Sequence, residues 1–235
     1  MSEAIVIPPG GGEVIGDSAD RRVEILSDGD AVHATWSRFG PGRDGADPHI
    51  HRRHTDIFYV LEGELTVRLG LEDELAVVPK GALAQVPPLV VHGFRNGSDA
   101  EMRYLNVHAP GVGFADYMRG LRVGRKVTYD QEPPPAEGVR PASEAVIGEP
   151  GLGVHVDIDA IRIAEVRSAP GDAPPPRTEG ESFYVLEGEL VLALGDRELR
   201  ARTGSWVEMP AGVPHVLTSQ DPVRYLSVLT GAAGA

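Results

Sequence analysis

The run Asp47-Pro48-His49-Ile50-His51-Arg52-Arg53-His54-Thr55-Asp56 concentrates imidazole and carboxylate groups within ten residues. Residues two apart on a strand project to the same face, so His49 and His51 can offer two imidazoles to one ion. His92, in Val86-Pro87-Pro88-Leu89-Val90-Val91-His92-Gly93-Phe94-Arg95-Asn96, follows a proline-bounded turn that returns into another strand. Together with Asp56 it would complete a set of three nitrogens and one oxygen, a pattern suited to a metal ion. With eight His in 235 residues an H-x-H pair alone is a weak signal, so the specificity rests on all four candidates. The chain has no Cys, which excludes disulfide scaffolds, thiolate metal sites and thiol catalysis. His54 has the right chemistry for a substitute ligand. Its odd spacing from His51 turns it to the opposite face of a regular strand, however, and it reads as a solvent-facing or rim histidine. His33 and His108 read as satisfied core or surface histidines, with the interior of the fold as the alternative, and His155 reads the same way. Phe58, Tyr59, Phe94, Trp36 and Tyr104 read as packing.

The elements that would position these groups are written twice. Phe58-Tyr59-Val60-Leu61-Glu62-Gly63-Glu64-Leu65 recurs unchanged as Phe183-Tyr184-Val185-Leu186-Glu187-Gly188-Glu189-Leu190. Further pairs flank it at drifting offsets: Ile15-Gly16 with Ile147-Gly148, Pro41-Gly42 with Pro170-Gly171, Gly81 with Gly204, His92 with His215, and Arg103-Tyr104 with Arg224-Tyr225. Leu65, Val67 and Leu69 alternate with Glu64, Thr66 and Arg68, and Leu190, Leu192 and Leu194 alternate in the second copy, as half-buried strands do. Short strands divided by Gly and Pro turns predict an all-β chain whose two copies are each an antiparallel sandwich or barrel of the jelly-roll type. Phe114, Tyr117, Met118 and Leu121 fall at helical spacing, with Gly124 as a stop, and predict a short helix whose apolar stripe packs on the barrel. The expected division is a first barrel at 1–125, a stiff proline-rich linker at 126–141, and a second barrel at 142–235.

These residues resemble the cupin superfamily, whose first motif runs G-x5-H-x-H, then three or four residues, E, x6 and G, and whose second runs G-x5-P-x-G-x2-H-x3-N. The resemblance makes His49, His51 and His92 the imidazole ligands, puts Asp56 in the carboxylate slot, and matches Gly63, Gly81, Pro87 and Asn96, with Leu89 replacing a motif glycine. Asp56 stands where Glu is usual. Three roles stay open for it: a direct ligand, a carboxylate holding a bound water, or a general base beside a three-His ion. The resemblance implies a bicupin, similar to quercetin-dioxygenase-like cupins, holding one divalent transition metal ion per chain (Fe, Mn, Ni, Co or Zn). It further implies a dioxygenase-type oxidoreductase acting on a small enolic or hydroxylated substrate in the first barrel, with Asp56 accepting the substrate proton. A non-oxidative isomerase, cyclase or decarboxylase and a non-catalytic ligand-binding cupin are the alternatives.

The second copy is expected to lack a site. Aligning the octapeptides puts Pro174 at the position of His49, Pro176 at that of His51 and Glu181 at that of Asp56, leaving His215 and Glu181 as a hydrogen-bonded structural pair. Lys and Arg number 22 against 35 Asp and Glu, a net charge of −13 with pI near 5.0. That balance argues against nucleic-acid and anionic-membrane partners and leaves a small-molecule substrate, with a homodimer compatible. The stretch Met1 to Arg22 lacks a basic segment followed by a long apolar one, and eighteen consecutive apolar residues occur nowhere, so the chain reads as a cytoplasmic soluble protein.

Overall fold

The repeated octapeptide sets the architecture, because its alternating apolar residues seed the same strand, corner and strand in each copy. The computed structural model describes residues 3–172 and 177–231, and they fall into two compact units: Glu13–Gly151, and Met1–Gly12 with Leu152–Ala235.

In the first unit, a seven-stranded antiparallel sheet runs in the order Val146–Ile147, Leu83–Val86, Thr55–Glu62, Met102–Ala109, His33–Phe39, Arg21–Asp28, Glu13–Ser18. A three-stranded sheet runs Glu74–Pro79, Glu64–Leu69, His92–Arg95. The second unit repeats the plan. Its six-stranded sheet is Ile5–Ile7, Trp206–Met209, Glu181–Glu187, Val223–Thr230, Ile161–Ser168, Gly153–Ile158, and its three-stranded sheet is Arg197–Arg202, Glu189–Leu194, Val216–Thr218. Each unit is a jelly-roll barrel closed around its own core, so the all-β expectation holds. Phe58, Val60, Leu65 and Val67 are fully buried in one core, and their counterparts Phe183, Val185, Leu190 and Leu192 lie in the other.

The corner between the sheets requires glycine. The chain leaves the large sheet at Glu62 and enters the small one at Glu64, and Gly63 between them has φ 72°. A Cβ there would lie 2.7 Å from the Glu101 carbonyl oxygen; at Gly188, with φ 82°, it would lie 2.7 Å from that of Pro222. Both left-handed backbone and close approach of a second strand exclude a side chain.

The boundaries differ from the sequence reading. Residues 126–151 lie along the first barrel instead of bridging freely to the second: Ile50 N donates to Glu132 O at 2.9 Å, Arg140 N donates to Leu89 O at 2.8 Å, and Val146–Ile147 pairs with Leu83–Val86. Reciprocally, Ile5–Ile7 pairs with Trp206–Met209. Each strand covers an edge that would otherwise expose unpaired backbone groups. The match of Ile15-Gly16 with Ile147-Gly148 also dissolves. Glu13–Ser18 pairs with Arg21–Asp28 at the outer edge of the seven-stranded sheet and, among the described residues, has no counterpart in the six-stranded sheet, whereas Val146–Ile147 pairs with Leu83–Val86 at the opposite edge.

The helix forms as expected at Phe114–Arg122, with Gly124 beyond it at φ 68°. Arg119 pins it to Glu13 at 2.6 Å and to Asp28 at 2.7 Å. Among the described residues no helix is long and apolar enough to cross a membrane.

Replacing either corner glycine by alanine is expected to lower the unfolding free energy by roughly 1–3 kcal/mol. Gly16→Ala, which meets no atom within 4 Å and has no positive φ, should change it by less than about 0.5 kcal/mol in the same urea titration.

Candidate metal centre

Two backbone hydrogen bonds put the first imidazoles together. His49 N donates to His92 O and His92 N to His49 O, each at 2.9 Å, so the H-x-H segment runs beside the start of His92–Arg95. His51 follows on the same face as His49, and Asp56 comes from the second position of Thr55–Glu62. Ring centroids of His49 and His92 are 4.3 Å apart, those of His49 and His51 4.7 Å, and those of His51 and His92 5.1 Å. All four side chains are buried, and one donor atom from each lies within 4.8 Å of the others.

The backbone fixes which nitrogen of each ring carries its proton. His49 Nδ1 lies 2.7 Å from the Asp47 carbonyl oxygen, His92 Nδ1 lies 3.0 Å from that of Val90, and His51 Nδ1 contacts that of Asp130. A carbonyl oxygen only accepts, so Nδ1 is the protonated nitrogen in all three rings and Nε2 is left with a lone pair. Those lone pairs point at one another. His49 Nε2 is 3.1 Å from His51 Nε2, His92 Nε2 is 3.2 Å from Asp56 Oδ2, and His51 Nε2 is 3.6 Å from the same oxygen. Four acceptors in contact without a donor among them is a costly arrangement in a buried site unless a cation lies between them. The residues therefore fit a metal ion. Burial, followed by the neighbouring His92 and His51, pushes His49 down to about 3, which keeps that ring neutral.

Asp56 reaches the cluster despite its short side chain. Oδ2 faces the imidazoles, while Oδ1 accepts from Asn106 Nδ2 and lies 3.1 Å from His108 Nε2. Burial acts to raise this carboxyl, but the facing imidazoles, His108 first, outweigh it and hold the group well below the usual carboxylate range.

Several surrounding groups depart from the sequence reading. His54 is fully buried instead of solvent-facing; its Nδ1 lies 2.9 Å from Asp130 Oδ2, and its ring centroid is 3.9 Å from that of His51. The chain between His51 and Thr55 is not a regular strand, so parity of spacing does not govern where His54 points. Asp130, expected in the linker, also caps the amides of Arg52 at 3.0 Å and Arg53 at 2.8 Å. Tyr129 Oη stands 3.0 Å from His54 Nε2 and 2.9 Å from His108 Nδ1. His108 thus faces the interior, beside Asn106. His33 is buried with neither ring nitrogen hydrogen-bonded, its ring edge-on to Phe114 at 4.9 Å. The functional neighbours missed by sequence reasoning are Asn106, Tyr129 and Asp130. No spacing rule links them to the H-x-H run, because they arrive from distant segments.

His49, His51 and Asp56 form part of the wall of a cavity of about 240 Å³. The helix stripe of Phe114, Tyr117, Met118 and Leu121 lines the same cavity instead of serving as barrel packing alone, and so do Phe94 and Tyr104.

The second barrel resolves the equivalent position differently. Arg177 pairs across the backbone with His215 as His49 does with His92, and Glu181 occupies the strand position of Asp56. Arg177 precedes Glu181 by four residues, whereas His49 precedes Asp56 by seven; alignment at a fixed offset therefore selects Pro174 and Pro176, which lie outside the described residues. The Arg177 guanidinium Nη1 donates to Glu181 Oε1 at 2.8 Å and Oε2 at 3.0 Å, and Ser227 Oγ donates to Oε1. His215 Nε2 is 3.8 Å from Glu181 Oε2 and makes no hydrogen bond, so the expected His215–Glu181 hydrogen bond gives way to an Arg177–Glu181 pair. Among the described residues of this barrel there is no cluster of metal-ligating side chains.

Comparison with known proteins gives the same architecture. The solved structure of protein Ylba from E. coli matches with a TM-score of 0.70 at 14% identity, covering 99% of this chain and 92% of that one. Salicylate 1,2-dioxygenase from Pseudoaminobacter salicylatoxidans, in adducts with gentisate, matches with a TM-score of 0.67 at 15% identity over 97% and 81%. A variant of oxalate decarboxylase from B. subtilis matches with 0.64 at 13% over 96% and 77%. At these identities the likeness is one of fold. No curated protein matches the sequence. A family model described as the cupin domain matches residues 35–108 and again 164–229. Those two stretches make up more than half of the chain, which therefore belongs to the cupin domain family and carries the domain twice.

Proposed function

We propose that the chain is a metal-dependent enzyme of the dioxygenase type, with one divalent transition ion held by His49, His51, His92 and Asp56 in the first barrel, acting on a small enolic or hydroxylated substrate. The observation that carries this reading is the convergence of three Nε2 lone pairs and a carboxylate oxygen on one point, at the wall of a cavity. A redox-active ion in such a set supplies Lewis acidity toward a substrate oxygen and an electron route to dioxygen.

The chain's own residues supply the rest. The three carbonyls that accept from Nδ1 hold the rings in one tautomer and rotation, as outer partners of metal-binding histidines do. Asn106 and His108 hold Oδ1 of Asp56 so that Oδ2 faces inward. With Oδ1 engaged by Asn106 and His108, Oδ2 is the oxygen that faces His92 Nε2 and His51 Nε2, which favours the ligand role for Asp56 over the general-base role. The aromatic and apolar side chains of the helix cover the cavity and exclude water from a bound substrate. A salicylate 1,2-dioxygenase among the structures of similar fold is consistent with this class of chemistry.

A second reading, a non-oxidative decarboxylase or isomerase, draws on the string Tyr129, His108, Asp56. Its contacts of 2.9 Å and 3.1 Å connect the cavity to an imidazole and a hydroxyl able to pass a proton.

Elemental analysis of protein purified without a histidine tag should give about one transition ion per chain, set by the single four-ligand cluster among the described residues. His51→Ala or His92→Ala should leave below about 0.1, since loss of one of four ligands and its buried lone pair removes the closed set. His215→Ala should leave the content unchanged, and two ions per chain would refute the assignment of a single site.

Oxygen-uptake measurements with enolic and catecholic compounds should show consumption of dioxygen in step with loss of substrate, abolished in His92→Ala. Equal turnover under strict anaerobiosis would instead select the non-oxidative reading.

A further inference from the structure

The cavity has one feature that metal binding does not use. Arg21, the first residue of Arg21–Asp28, lines it together with His49, His51 and Asp56. Its guanidinium lies over the Phe39 ring, with Cζ 5.9 Å from the centroid. Its Nε is buried and has no hydrogen-bond partner. Neighbouring arginines of the unit are neutralised: Arg22 by Asp17 at 2.5 Å and Glu24 at 2.7 Å, Arg38 by Glu101 at 3.5 Å, Arg43 by Asp20 at 2.9 Å. Among the described residues no carboxylate lies within ion-pair distance of Arg21. A guanidinium is a planar fork of donors, and leaving one of them dry and unpaired is costly unless a ligand completes it.

We propose that Arg21 is the residue that recognises a carboxylate on the substrate, and that the substrate class is a small acid with an apolar or aromatic body and a hydroxyl or enol oxygen. The inference rests on the metal-centre reading for the oxygen end alone; the acid end stands on Arg21. Phe39, Phe94, Phe114 and Tyr117 line the cavity wall and provide the surface for the body. The remaining charged groups on the wall are Arg43, whose charge is already met by Asp20, and Asp44. Against a divalent ion, one Asp56 and one Asp44, the Arg21 charge leaves the cavity able to take one further anion. A carboxylate on the guanidinium would be bound bidentately, which fixes the acid's orientation as well as its charge. Arg21 is thus a binding residue that selects which substrate oxygen is presented to the imidazole cluster.

The probes are 2-hydroxybenzoate and its uncharged amide, 2-hydroxybenzamide, titrated calorimetrically into zinc-loaded protein, where turnover is silent, and into metal-free protein. Wild-type protein should bind the acid at least about tenfold more tightly than the amide, as expected for one charge-assisted hydrogen-bonded pair. Arg21→Gln should weaken the acid by about ten- to a hundredfold, leave the amide within about twofold, and leave the metal content and melting temperature unchanged. Arg21→Lys, which keeps the charge and loses the fork, should fall between. Equal binding of acid and amide by the wild type, absence of acid binding, or undiminished acid binding by Arg21→Gln would each overturn the proposal. Failure of the wild type to hold zinc would overturn the metal-centre reading instead. The acid-to-amide ratio in metal-free protein would then still decide the role of Arg21.

Discussion

Contact between acceptors governs the first barrel. Three imidazole lone pairs and a carboxylate oxygen are pressed together in a site from which solvent is largely excluded. Nothing in the local backbone relieves it, since the same backbone carbonyls that order the rings also commit every Nδ1 proton away from the centre. The cost of holding the arrangement is carried by distant segments. Asp130 accepts a hydrogen bond from His51 Nδ1 on its carbonyl and straps the Arg52 and Arg53 amides with its carboxylate, so a stretch beyond the helix is part of the frame of the centre. This gives a physical reason for residues 126–151 to remain with the first unit: detached, they would release His51 from its tautomer.

The same barrel written a second time meets the same problem and solves it without an ion. A carboxylate at the Asp56 position is buried in both copies and must be matched by positive charge or strong donors. In the second copy Arg177 places a guanidinium on Glu181 from the backbone position that His49 holds in the first. His215 keeps the orientation of a ligand, with Nδ1 on the Val213 carbonyl at 3.0 Å, but its Nε2 has no hydrogen-bond partner. A single cationic side chain thus meets the buried carboxylate of the second copy directly, at the position where the first copy offers an imidazole to a cluster that could hold an ion.

How much of this could be read from the sequence follows from the range of each interaction. The octapeptide gave away the duplication because strand alternation and the glycine corner are local, and Gly63 and Gly188 meet identical demands from the opposing strand. His49, His51, Asp56 and His92 were legible because strand parity and motif spacing act over a few residues. His54 was misjudged where parity lapsed in an irregular turn, and Arg177 was missed because a loop shortened by three residues shifts the register that a fixed offset assumes. Tyr129, Asp130 and Asn106 reach the centre through tertiary contacts dozens of residues apart, and hydrophobic periodicity carries no information about those. The exchanged edge strands Ile5–Ile7 and Val146–Ile147 are too short to announce a partner, and only pairing reveals which barrel each completes.

The net charge of −13 requires the same separation of ranges. Taken as a global quantity it disfavours a polyanion, whose many phosphates would face the whole surface. A small buried acid is subject to a different field. Surface carboxylates more than about 10 Å away are largely screened at moderate ionic strength, while groups inside a cavity of low polarity are screened much less. What such a ligand meets on the wall is the guanidinium of Arg21 over Phe39 together with the imidazole cluster, with Asp44 and Asp56 the carboxylates there. An acidic protein can therefore hold a locally electropositive pocket. The surrounding negative surface slows the approach of anions without setting how tightly one is held once inside.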